Sequence, residues 1–100
     1  MKLHTQSIHF DADKKLIEYI QKKIDKLETF YDRIIDGEVY LKLDKDSHQE
    51  NKIVEIKINM PGHSVFVKER SRTFEAATDE AVEALKAQIK KHKEKAAVHA

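Results

Sequence analysis

The sequence predicts an α+β fold, a β-α-β-β-β-α two-layer sandwich in which a four-stranded sheet carries two helices on one face. Three observations predict it. Two segments have helical periodicity, and between these two segments lie three consecutive segments in which apolar and polar residues alternate. The N-terminus has a mixed strand pattern. A chain of 100 residues suffices for one core, so residues 1–100 are expected to form a single domain. Each strand has one apolar face, so the other face of the sheet should be largely exposed to solvent.

The first strand and the first helix are predicted within residues 1–29. Residues alternate in character from Leu3 to Phe10, which predicts a mixed strand. Asp11 and Asp13 offer carboxylates that suit a helix N-cap and the positive end of the helix dipole. Apolar residues then recur at three- and four-residue steps, which predicts an amphipathic helix from about 12 to 29, with Leu16, Ile17, Ile20, Ile24 and Leu27 on its apolar face.

The middle of the chain predicts an antiparallel meander of three strands. Gly37 precedes an alternating segment that ends near Asp44 and is predicted as the second strand. The polar residues 46–51 have the composition of a hairpin loop. The segment 54–60 is the cleanest alternating strand, and Pro61-Gly62 suits the centre of a turn into a fourth strand around residues 65–70.

A second helix is predicted from Thr73, a candidate N-cap, to about residue 95. Glu75 falls in the first turn, where its charge is favourable. The apolar stripe of this helix comprises Phe74, Ala77, Ala81, Val82, Leu85 and Ile89.

Composition excludes several classes of protein. With 40% hydrophobic residues and a net charge of +1 the chain does not have the composition of a disordered protein. No apolar run approaches the ~20 residues of a membrane span, and the N-terminus lacks the apolar stretch of a secretory signal. Because the chain contains no cysteine, disulfides and thiolate metal sites are excluded, and a reducing, cytoplasmic location is expected. No membrane partner is expected.

No catalytic site, cofactor or metal site is predicted, and no small-molecule substrate. Nucleotide-binding, hydrolase and metalloprotease motifs are absent, and two glycines cannot build a phosphate-cradling loop. The six histidines show no metal-ligand spacing; His4 and His9 are expected on opposite faces of the first strand. Asp44 and Asp46 are expected on one strand face as solvated charges.

Phe66 shares a strand face with Lys68 and Arg70. Its ring could stack on a nucleic-acid base or cover a sheet edge, and the structural role is favoured.

Lysines form rows on both predicted helices. Residues 86–95 carry five lysines against one glutamate, although the whole chain is nearly neutral. If the helices pack side by side, these rows flank a common cationic surface suited to the phosphates of folded RNA. Solvation of the surface by the same lysines is the alternative. The aligned lysines are Lys15, Lys22, Lys23 and Lys26 on the first helix, and Lys86, Lys90, Lys91, Lys93 and Lys95 on the second.

Three segments resemble one known family. The segment 26–34, KLETFYDRI, resembles the K-L-E-x-(aromatic)-(aromatic)-D-R-I segment of the ribosome hibernation-promoting factors, also called ribosome-associated inhibitors or sigma-54 modulation proteins. The segment 73–79, TFEAATD, is similar to the alanine-rich start of that family's last helix. The segment 85–95, LKAQIKKHKEK, is similar to its L-x-x-Q-L-x-K-x-K terminus. The likeness covers nearly the whole chain, in the order of that family's β-α-β-β-β-α fold, and the length suggests the short form.

The resemblance implies a protein that binds the small ribosomal subunit in the channel for mRNA and tRNA. Such a protein would repress translation under starvation or in stationary phase by steric block and without chemistry. Ribosomal RNA is the implied partner, and a separate ribosome-pairing factor is left open. The positions matching the family's contact residues, with the two stripe lysines Lys22 and Lys86 added, form the predicted rRNA-binding set of Lys22, Lys23, Lys26, Arg33, Lys86, Lys90, Lys91, His92 and Lys93.

Two other classes of function fit the residues. A generic module for structured or double-stranded RNA would use the same lysine rows away from the ribosome. A protein-interaction adaptor would instead use the exposed sheet face, and its lysines would only solubilise the domain.

Overall fold

The computed structural model describes residues 1–46 and 49–98 and contains six elements in the predicted order. The predicted α+β class is confirmed. Residues 47 and 48, which belong to the predicted 46–51 loop, lie outside the described residues. The elements are β1 (Lys2–Ser7), α1 (Lys14–Phe30), β2 (Asp36–Leu43), β3 (Lys52–Met60), β4 (His63–Ser71) and α2 (Phe74–Val98).

The four strands form one sheet in the order β1-β2-β3-β4. β1 pairs with β2 in parallel, with Leu3 opposite Gly37, because α1 carries the chain back across the sheet between them. β2, β3 and β4 pair antiparallel, as the meander predicts. The predicted Pro61-Gly62 turn is confirmed. Gly62 has φ +69, a left-handed conformation that glycine adopts without strain.

One core joins both helices to one face of the sheet. From α1 it takes the buried Ile20, Ile24 and Leu27, and from α2 Leu85 and Ile89. The strands contribute every second residue, which leaves the alternate side chains on the open face. The strand residues of the core are Val39, Leu41, Val54, Ile56, Ile58, Met60, Val65 and Val67.

The helices begin at caps that hold the exposed backbone N–H groups. Asp13 accepts a hydrogen bond from Leu16 N at 2.7 Å, so α1 begins at residue 14 and not at 12. Thr73 Oγ1 accepts from Ala76 N at 3.0 Å, which confirms the predicted N-cap of α2. At this end Phe74 stacks on Phe10, with ring centroids 5.2 Å apart. The backbone of α2 continues to Val98, three residues beyond the predicted end.

Three local expectations are wrong. β1 ends at Ser7 and does not reach Phe10, because His9 adopts a left-handed φ of 65 that turns the chain toward α1; His4 and His9 therefore do not share a strand. Gly37 lies inside β2 and does not precede it. Asp44 and Asp46 follow β2 in a turn, where Asp44 Oδ1 accepts from Asp46 N at 3.0 Å.

Candidate nucleic-acid interface

The buried stripe of α1 sets where its lysines lie. Ile20, Ile24 and Leu27 are fully buried against the core. Lys22 and Lys26 consequently face solvent, and Lys23 is half-buried beside α2. The amphipathic spacing of the sequence therefore determines which α1 cations are accessible.

The lysines of α2 are distributed around its buried stripe in the same way. Leu85 and Ile89 have no exposed surface. Lys90 and Lys91 are exposed, and Lys86 is partly exposed on the side that faces α1.

A groove of about 310 Å³ between α1 and α2 brings together lysines from both helices. Lys23 and Lys26 line it from α1, and Lys86 lines it from α2. The helices thus pack side by side with three predicted binding residues on one concave surface. The other lining residues are Asp79, Val82 and Glu83.

Two carboxylates accompany these cations. Asp79 Oδ1 accepts a hydrogen bond from the Tyr19 hydroxyl at 2.7 Å and lies 3.4 Å from Lys23 Nζ. Lys86 Nζ lies 3.4 Å from Glu83 Oε1, one turn earlier on α2. The hydrogen bond to Asp79 raises the pKa of Lys23, and the Asp79 carboxylate also raises the pKa of Tyr19, with burial adding to the latter.

Both lysines remain available to an external anion. The side chains of Lys23 and Lys86 are 36% and 41% exposed, and Glu83 is 74% exposed. Exposed pairs of this kind contribute little to stability because water screens them and long side chains lose entropy on pairing. A phosphate that enters the groove can replace the carboxylates as the partner of these cations.

Other predicted residues lie outside the groove lining. Lys22 and Lys90 project to solvent from their helices, and Arg33 is exposed in the segment after α1. Within residues 1–46 and 49–98, none of these three takes part in an ion pair of 4.0 Å or less. They enlarge the cationic surface without entering its concave part.

Lys93 has a structural role that the sequence did not indicate. Its Nζ donates to the Phe30 carbonyl oxygen at 3.1 Å, at the C-terminal end of α1. It also lies 4.8 Å from the centroid of the Phe30 ring and 5.9 Å from that of Tyr31. Lys93 therefore caps α1 with a charge of the favourable sign and fastens α2 to it.

His92 lies beside a histidine that was not among the predicted site residues. Its ring stacks on that of His63, from the start of β4, with centroids 4.6 Å apart and planes 2° from parallel. The edge of Tyr31 contacts it on another side at 6.1 Å. His63 and His92 are far apart in the chain, so no spacing in the sequence predicts the pair.

Two further features of the described residues bear on the site. No group of three or more histidine, aspartate or glutamate side chains in residues 1–46 and 49–98 is arranged to hold a metal ion. Neither helix, over the part of the chain that the structure describes, is long and apolar enough to cross a bilayer.

The family model described as Sigma 54 modulation protein / S30EA ribosomal protein matches residues 3–97. The chain belongs to this family. The match covers all six elements except Lys2 at the start of β1 and Val98 at the end of α2, and it includes every residue of the groove. The resemblance of the three sequence segments is thereby confirmed.

Two curated relatives of this Sigma 54 modulation / S30EA member are matched over most of their own length. It is 28% identical over 95 residues to the ribosome hibernation promoting factor of Pseudomonas putida, covering 95% of this chain and 89% of that protein. It is 27% identical over 99 residues to the ribosome hibernation promoting factor of Escherichia coli, covering 99% of this chain and 100% of that protein.

Solved structures share the fold of this family member. The Thermus thermophilus Protein Y N-terminal domain superposes with a TM-score of 0.79 at 26% identity, covering 92% of this chain and 99% of that one. A ribosomal subunit interface protein from Coxiella burnetii superposes with a TM-score of 0.83 at 22% identity, covering 93% and 98%. The second likeness bears on the fold alone.

Proposed function

We propose that this protein is a ribosome hibernation factor that binds the small ribosomal subunit in the mRNA and tRNA channel. It represses translation under starvation or in stationary phase by occupying that space, without catalysis, and it acts in the cytoplasm. Membership of the family and the names of the curated relatives support a ribosomal role. The observation that carries the proposal for this chain is the groove in which Lys23, Lys26 and Lys86 from two helices face one another.

The mechanism is electrostatic attachment of a rigid body. Lysines on both sides of the groove neutralise successive phosphates of ribosomal RNA and release condensed counterions. Because α1 and α2 share one core, the backbone positions that carry these cations keep a fixed separation, and the helices need no rearrangement when RNA binds. The proposed contact residues are those of the predicted set, Lys22, Lys23, Lys26, Arg33, Lys86, Lys90, Lys91, His92 and Lys93.

The test is the double substitution Lys26→Gln and Lys86→Gln, which removes one groove cation from each helix. We expect weaker cosedimentation with purified small subunits and a decrease of about one per lysine in the slope of log affinity against log salt. The matched control is Lys57→Gln with Lys68→Gln, because both lysines are exposed on the opposite face of the sheet. Equal losses in the two double variants would contradict a role for the groove.

Two further measurements separate the alternatives. In a reconstituted translation system we expect inhibition to need about one protein per ribosome, because a steric block acts stoichiometrically; inhibition at a small fraction of that amount would indicate an enzyme. Excess plain RNA duplex should displace the protein poorly from small subunits. Equal competition by duplex would favour a generic RNA-binding module, and binding insensitive to salt would favour a protein-interaction adaptor.

A further inference from the structure

A second concave site lies on the other side of α2, between that helix and the turn before β4. It has a volume of about 210 Å³, and we refer to it as the histidine pocket. Its lining residues are His63, Gln88, Lys91, His92 and Lys95.

The lining has the chemistry of an anion site. Two ammonium groups and two imidazoles face the pocket, and none of its described lining residues is a carboxylate. The Gln88 amide nitrogen donates to the Phe66 carbonyl at 3.2 Å, which uses one of its two N–H groups and fixes α2 against the edge strand β4. A compact oxyanion with several acceptor oxygens, such as a phosphate, matches these donors.

The stacked rings place two ionisable imidazoles side by side at the pocket. At a centroid distance of 4.6 Å, positive charges on His63 and His92 repel each other and the neighbouring ammonium groups. A phosphate bound beside the two rings would offset that repulsion. The titratable groups that line the pocket or contact the pair, within the described residues, are His63 from β4, Lys91, His92 and Lys95 from α2, and Tyr31 from the end of α1.

We propose that the histidine pocket binds an RNA phosphate and that the His63–His92 pair takes up a proton as it does so. This inference rests on the proposed function for the source of the phosphate. It adds His63, Gln88 and Lys95 to the contact surface, and it makes binding tighten as pH falls through the range in which histidine titrates.

The first test uses inorganic phosphate as the probe and needs no ribosome. In an NMR titration of the whole chain we expect the imidazole resonances of His63 and His92 to shift together and to saturate. The resonances of His4 and His9, which are exposed elsewhere, should stay constant. Equal, unsaturable shifts of all four would overturn the pocket as a phosphate site.

The second test measures affinity for small subunits at pH 8 and pH 6 at constant ionic strength. Uptake of about half a proton, averaged over this pH interval, should make the unaltered protein bind about tenfold more tightly at pH 6. His63→Asn should lose most of that gain and keep its circular dichroism spectrum, because His63 is exposed. His4→Asn makes the same change on β1, at the opposite edge of the sheet, and should keep the full gain.

The two tests distinguish the two proposals. If His63→Asn retains the same gain between pH 8 and pH 6 as the unaltered protein, proton uptake by the pair is wrong. If small subunits fail to bind at any pH, the proposed function fails, while the phosphate titration still decides whether the pocket is an anion site.

Discussion

At the scale of single residues, Asp79 is the internal partner of the Lys23 ammonium in the groove. Its carboxylate holds both the Tyr19 hydroxyl and the Lys23 ammonium, and it occupies a position where a phosphate oxygen would contact the same lysine. On the proposed function, an RNA phosphate at Lys23 would compete with this carboxylate. Asp79 would then lower the affinity for RNA while it orders the side chains of Tyr19 and Lys23.

Replacing Asp79 with Asn should raise RNA affinity, by about threefold at low salt, because one competing negative charge leaves the groove. The raised pKa of Tyr19 should at the same time fall toward its ordinary value of 10.0, since the Asp79 carboxylate is its main cause. Titration of phenolate absorbance and a filter-binding assay measure the two effects.

Glu80→Asn provides the control for this prediction, since Glu80 is the next residue and is exposed. It removes the same charge from α2 outside the groove lining. Should Asp79→Asn bind RNA no more tightly than Glu80→Asn, Asp79 does not restrain Lys23.

Gly37 is needed for close packing within the sheet. The sequence predicted that this glycine precedes a strand, but it lies within β2. A Cβ there would meet the terminal methyl carbons of Leu3 and Ile58, each at 3.0 Å. Its role is to let β1 and β3 side chains close over β2, which depends on the strand order and not on local propensity.

At the scale of elements, the contact between the end of α1 and α2 gives a structural role to a lysine that is also in the proposed contact set. Phe30, Tyr31 and Lys93 meet there through one hydrogen bond and two cation–π contacts. Both aromatics pack against the core. The lysine was predicted only as a phosphate contact, because the partner carbonyl lies 63 positions away in the chain.

Lys93→Met should therefore destabilise the fold by roughly 0.5–1 kcal/mol, since it removes a donor at a helix C-terminus. Lys90→Met removes an equal charge from the same helix without a capping contact and should leave stability unchanged. Chemical denaturation measures both variants. Equal stabilities for the two would contradict the capping role of Lys93.

At the scale of the whole molecule, one core supports an elongated body of 47 × 23 × 18 Å. The long axis reflects α2, whose 25 residues span about 37 Å at 1.5 Å per residue. Both helices and the three meander strands contribute to the same buried cluster, so neither helix has a core of its own. The separation of the lysine rows is therefore a property of the whole fold.

This shared core predicts a single cooperative unfolding transition. Far-ultraviolet circular dichroism follows the helices, and tyrosine fluorescence follows Tyr19 on α1, Tyr31 just after it and Tyr40 on β2. The two signals should give the same denaturation midpoint. Separate midpoints would mean that α2 or the sheet unfolds independently, and the rigid spacing of the cations would then be lost.

The sequence alone determines the order of the six elements, most of the buried residues of the helices and of the meander strands, the cap at Thr73, and the positions of the lysine rows on each helix. These features follow from the periodicity of apolar residues and from contacts between residues only a few positions apart in the chain. Only the tertiary structure decides that β1 lies parallel to β2, that Asp79 holds Lys23 and Tyr19, and that His63 stacks on His92. Those contacts join distant parts of the chain, and they form only when both helices pack across the sheet at one particular register.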